Sequence, residues 1–153
     1  AGRLVKLGHQ VHYLSREQMR EAIEDTGATF HSDIENEPEL YDGREPSLFG
    51  ALGDLQKEHG MELESMIVAM FKLKEIMLEM TLPGAIRWLR KVQANAVVCC
   101  PMLNPEAVFA AKFVGIPSVA LLTLAGPGSL AMATHDMLRR EGLTPDDVLG
   151  MRK

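Results

Sequence analysis

Two short apolar runs constrain the fold most: Asn-Ala-Val-Val-Cys-Cys at 95–100 and Pro-Ser-Val-Ala-Leu-Leu at 117–122. Neither alternates polar with apolar residues. Each therefore reads as a strand buried on both faces, the pattern of a parallel sheet covered by helices. Between them Asn104 stands at a capping position, Pro105 suits the first helical turn, and Gly115 supplies the stop. Strand, helix and strand in this order form a right-handed crossover unit.

The first thirty residues show the same alternation. Residues 1–8 read as the tail of a helix that Gly8 ends, and 10–15 as a strand. Ser15, with Gln18 three residues on, offers a capping box for a helix reaching about Thr26. Gly27 closes that helix and 28–31 forms a second strand. An α/β chain of this type begins on a strand and a loop, whereas this one begins with Ala1 inside a helix. The expectation is a piece of a longer protein.

Residues 33–56 read as a long, acidic connection marked by Gly and Pro, of the length seen in functional or mobile loops. Six acids and one base fall within 33–45 and account for the whole net charge of −5. A solvated face is the expectation, since the spacing matches no calcium loop. An acidic balance also argues against nucleic acid as a partner.

Residues 58–92 are expected to be mostly helical. Leu63, Met66, Ile67, Met70, Leu73, Met77 and Met80 recur at helical spacing. Pro83-Gly84 should break or kink this element, with a second helix over 85–93. The methionines, Met61 among them, suit either a packed core face or an adaptable wall of a ligand pocket. As a core position, Met70 should not tolerate Asp. Helices are expected over 129–141 and again after Thr144, whose neighbours Asp146 and Asp147 favour a helix start.

The full order is α-β-α-β, a long loop, then α-α-β-α-β-α, within one domain of 153 residues. It implies a Rossmann-like doubly wound parallel sheet. Ligands of such sheets bind at the carboxyl ends of the strands. Those ends are 14–16, 31–33, 100–104 and 123–128, which makes Cys100, Met102, Asn104, Thr123 and Gly126 candidate pocket residues, with Met70 from the methionine stripe. Gly126-Pro127-Gly128 reads as a turn, because no Lys follows it as in a phosphate loop. None of the five histidines sits at metal-ligand spacing with another ligand. Cys99 and Cys100 are adjacent and have no other partner, so they are expected to stay thiols, Cys100 buried and inert, in a reducing, cytoplasmic setting. No apolar run reaches the length of a membrane span.

The segment RLVKLGHQVHYLSREQMREAIEDTGATF resembles the early part of family 1 glycosyltransferases, UDP-sugar-using enzymes of the two-domain GT-B fold. The later segment NAVVCCPMLNPEAVFAAKFVGIPSVALLTLAGPGS is similar to a strand, a helix and a Gly-Ile-Pro-x-Val strand in the same N-terminal domain. The likeness covers roughly residues 2–32 and 94–130. It implies that residues 1–153 are part of an acceptor-binding domain, lacking its first strand and without the C-terminal nucleotide-sugar domain. The implied reaction is inverting transfer of a hexosyl group from a UDP-sugar co-substrate to the hydroxyl of a small lipophilic acceptor, with no other cofactor. In the family a His in the loop after the first strand takes the hydroxyl proton, and an acid after the strand matching 95–100 orients it. Cys100 and Pro101 stand at that second place, so no catalytic residue carries over. This chain alone is then expected to transfer no sugar. The alternatives are a non-catalytic small-molecule-binding or regulatory α/β module and an unrelated doubly wound domain. Neither a dinucleotide fingerprint nor a Walker motif supports the last.

Overall fold

The computed structural model describes residues 1–101, 103–121, 139–140 and 142. The chain is mixed α/β. It runs α1 (Gly2–Lys6), β1 (His12–Ser15), a 3-10 turn (Glu17–Met19), α2 (Arg20–Glu24) and β2 (Thr29–Ser32). It continues with α3 (Asp33–Asn36), α4 (Pro38–Tyr41), α5 (Leu48–Glu58), α6 (Met66–Lys91), β3 (Val97–Cys99), α7 (Pro105–Val114) and β4 (Ser118–Ala120). Both crossover units appear as parallel pairs. His12 to Ser15 register with Thr29 to Ser32, and Val97 to Cys99 with Ser118 to Ala120. Among the described residues these are two separate two-stranded sheets.

The glycine stops fall where the sequence puts them. Gly27 ends the α2 segment at φ +80°, and Gly115 follows α7 at φ +83°, a left-handed backbone that costs residues with a Cβ. The Ser15 capping box does not form. Ser15 is the last residue of β1, and the chain enters α2 through the 3-10 turn capped by Arg16, without a side-chain cap.

The expected long loop over 33–56 is instead three helices. Ser47 caps α5 by accepting from the Gly50 amide at 3.0 Å. Leu52 and Leu55 face inward and join Leu40, Tyr41, Ala51, Ala69 and Leu73 in a buried cluster. Met61, Met66, Met77 and Met80 pack around it, so these members of the stripe are core. Their acidic neighbours are not simply solvated. The Glu39 carboxylate takes both ends of the Arg87 guanidinium at 2.6 and 2.8 Å, and Arg44 holds Glu58 at 2.8 and 2.8 Å.

Helix α6 does not stop at Pro83. One 26-residue helix passes through it. Pro83 deletes a single backbone hydrogen bond, while packing along both halves of the helix holds the rod together. The N-terminal half closes the cluster just described. The C-terminal half brings Ala85 and Leu89 against Val97, Ala110 and Ala111. A third, smaller cluster of Ile23, Ala28 and Phe30 joins α2 to β2, with the Arg20 guanidinium 4.2 Å above the Phe30 ring.

Strands β3 and β4 are not buried on both faces, as their uniform apolar character predicts. Val97 is buried toward α7, whereas Val98 and its registered partner Val119 are 58% and 55% exposed. Helix α7 covers one side of this pair, and among the described residues the other side is open.

Candidate functional site

Polar residues stand at the carboxyl ends of both strand pairs. Arg16 follows β1, Asp33 follows β2 and Cys100 follows β3, each the first residue past its strand. Asp33 anchors the group. One carboxylate oxygen accepts from the Ile34 amide at 2.9 Å and the other from the Tyr41 hydroxyl at 3.1 Å. The Arg16 guanidinium lies 3.8 Å away. Burial, followed by the charge of Asp33, raises the Tyr41 phenol well above its usual range, so Tyr41 acts as a fixed hydrogen-bond donor.

Glu37 is the most unusual group. It closes α3 and precedes Pro38, and its side chain is carried inside by the turn between two short helices. The residue is only 8% exposed. Burial pushes its carboxyl to about 8, helped by the charges of Glu106, Asp33 and Glu39. Isolated from cations, a buried carboxyl relieves its desolvation cost by keeping the proton. At neutral pH Glu37 is therefore mostly a neutral acid, able to donate a hydrogen bond and poised to exchange its proton.

Glu106 enters from the first turn of α7. The turn after β3 brings it there: the Cys100 carbonyl accepts from the amides of Leu103 and Asn104 at 3.1 and 2.8 Å, folding the chain back into the helix. Burial raises the Glu106 carboxyl too, against hydrogen bonding from its own backbone and from Asn104. Beside it, burial and the Glu106 charge raise the Cys99 thiol. Arg16, Asp33 and Tyr41 thus form one group at the ends of β1 and β2, Glu106 and Cys99 a second at the end of β3, and Glu37 feels charge from both. Among the described residues no group of three or more His, Cys, Asp and Glu has the geometry of a metal site.

Of the sequence-predicted pocket residues, Cys100 and Asn104 lie just past the end of β3. Asn104 is the N-cap of α7, though its side chain makes no capping hydrogen bond. Cys99 and Cys100 are both free and half-buried, so Cys100 is less enclosed than expected. Met102, Thr123 and Gly126 lie outside the described residues. Met70 is elsewhere. It is 39% exposed on the N-terminal half of α6, about 22 Å along the helix from Ala85, where α6 meets α7 and β3. Sequence reasoning singles out neither Glu37, Glu106 nor Tyr41, and reaches Asp33 only as the last residue of the strand end 31–33. Glu37 and Asp33 fall in the acidic stretch expected to be a solvated face. The one local signal was Asp33 itself, an acid directly after a strand in an α/β alternation.

A second cluster unites residues that look unrelated in the sequence. His12 Nδ1 and His31 Nε2 are 3.0 Å apart, and the His31 ring meets the edge of Trp88 with centroids 5.7 Å apart. The Trp88 Nε1 is buried without a hydrogen-bond partner among the described residues.

The chain matches no family model, no curated protein and no solved structure.

Proposed function

We propose that this chain is the acceptor-binding portion of a glycosyltransferase that moves a hexosyl group from a UDP-sugar to the hydroxyl of a small lipophilic molecule, with inversion. In this reading β1–β2 and β3–β4 are the two flanks of one Rossmann-like doubly wound sheet. The strand order 3-2-1-4-5 puts just such pairs on either side of one central strand. The observation that carries the reading is the buried carboxyl of Glu37, within reach of the charges of Asp33 at the end of β2 and of Glu106 just past the end of β3. Such strand ends are where doubly wound sheets hold their ligands.

The geometry suits an alcohol. A neutral Glu37 donates to the acceptor oxygen and orients it. Tyr41 and the Arg16 guanidinium both approach one oxygen of Asp33, which fixes them beside each other. Glu106 supplies an acid next to the end of β3. The proton of the acceptor is taken in the family by a His that this chain does not match, and the donor sugar is held by the other domain.

Calorimetry on the chain, with 1-naphthol as a lipophilic hydroxyl probe and UDP as the donor probe, tests the reading. Saturable naphthol binding, weakened by Glu37→Met, which removes the donor, with no UDP binding and no turnover of UDP-glucose, is expected. Tight UDP binding, or measurable sugar transfer by these residues alone, would overturn it. A non-catalytic binding module is the second reading, supported by Cys100 and Pro101 in place of an acid. It is distinguished by acceptor binding in a longer protein that still has no affinity for UDP.

A further inference from the structure

We propose that His12 and His31 form a two-imidazole site for a divalent transition-metal ion that prefers square-planar or octahedral ligands, Ni(II) or Cu(II). The strands bring the pair together. Leu14 registers with His31 in the parallel sheet, and His12 lies two residues before Leu14 on the same strand. Side chains two apart share a face, so both imidazoles stand on one side of the sheet. Their nearest nitrogens, Nδ1 of His12 and Nε2 of His31, are 3.0 Å apart, with ring centroids 5.2 Å apart and planes tilted by 43°. Trp88 backs His31 edge-on. None of the hydrogen bonds between described side chains ties either ring to a carboxylate.

The separation selects the metal. Imidazole nitrogens bind these ions at about 2.0–2.1 Å, so nitrogens 3.0 Å apart subtend roughly 90–95° at the ion. That is the cis angle of a square-planar or octahedral site, which N and O ligands give to Cu(II) and Ni(II). A tetrahedral ion would need the nitrogens spread to about 3.3 Å. The two rings are half-buried, so water completes the coordination from the open side. Proton bookkeeping is simple. In the neutral pair one hydrogen lies between the two nitrogens. On metal binding that ring changes tautomer, leaving hydrogens on His12 Nε2 and His31 Nδ1, and no proton is released. Burial first, then the neighbouring His12 and Lys91, hold the His31 imidazole below its usual range, which favours its neutral, ligating form.

Calorimetric titration of the full chain with Ni(II) chloride at pH 7.5 tests the site. One equivalent should bind. His12→Asn and His31→Asn should each weaken binding at least about tenfold, since even outer-shell partners of a metal site are worth ~10–100-fold. His9→Asn should leave it unchanged. Equal affinity in all four proteins would overturn the proposal. Because His31 packs on Trp88 and its variant could misfold, the wild-type chain supplies a second readout. Substoichiometric Ni(II) should broaden the imidazole NMR signals of His12 and His31 before those of other histidines. Earlier broadening at any other histidine would overturn the site as well.

Discussion

The main-chain carbonyl of Asn36 lies so close to Gly84 that a Cβ on Gly84 would sit 2.3 Å from its oxygen. The junction of α3 and α4 thus crosses α6 in direct backbone contact, one turn past Met80 and one turn before Trp88. This contact sets where Glu37, the next residue, enters the interior. Gly84→Ala should therefore lower stability by about 1–3 kcal/mol through overpacking against an atom that cannot rotate away. Urea unfolding checks it: the midpoint should fall with an unchanged slope. A midpoint equal to wild type would mean that the two elements separate freely.

The carboxyl of Glu37 makes stability depend on pH. Its folded value of about 8 lies above the ordinary 4.5, so between these the folded chain holds a proton that the unfolded chain has lost. The contribution is complete below about pH 4.5 and is lost as pH rises toward 8. Near pH 6–7 this group alone should lower stability by about 1.4 kcal/mol for each pH unit gained. Glu37→Gln keeps the shape and removes the titration. Its unfolding free energy should lose this slope and exceed that of wild type at pH 8. Parallel pH profiles for the two proteins would contradict the buried, protonated state.

Met70 and Leu73 share a helix yet have opposite surroundings. Leu73 is fully buried and Met70 is 39% exposed. Met70→Asp should cost under about 1 kcal/mol, as surface changes do, while Leu73→Asp should abolish cooperative unfolding by placing a charge in the core. Thermal unfolding followed by circular dichroism separates the two. An unfolded Met70→Asp chain would restore the sequence expectation that Met70 is core.

What the sequence revealed and what it hid follow from range. Helix stops at Gly27 and Gly115 and the parallel strand pairs rest on local chemistry, and they stand where the pattern puts them. The helix over 48–58 was also written locally, in Leu48, Leu52 and Leu55 at helical spacing after Ser47. Gly50 and Gly53 hid it, since each glycine counts against a helix by nearly 1 kcal/mol, and tertiary packing of the leucines outweighs them. Pro83 misled in the same way: the cost of one missing hydrogen bond is local, whereas the packing that offsets it comes from α5 on one side and α7 on the other. The site was least legible. Glu37 and Glu106 are 69 residues apart and His12 and His31 are 19 apart, and no spacing rule joins residues whose meeting depends on how α6 carries two sheets.

The most direct test of the account is an amide chemical-shift titration of the chain with 1-naphthol. Saturable shifts should appear at Arg16, Asp33, Glu37, Tyr41, Cys100 and Glu106, at the strand ends, and leave Met70 unmoved. Shifts centred on the Met70 face of α6, or none that saturate, would contradict an acceptor site at the carboxyl edge of the strands.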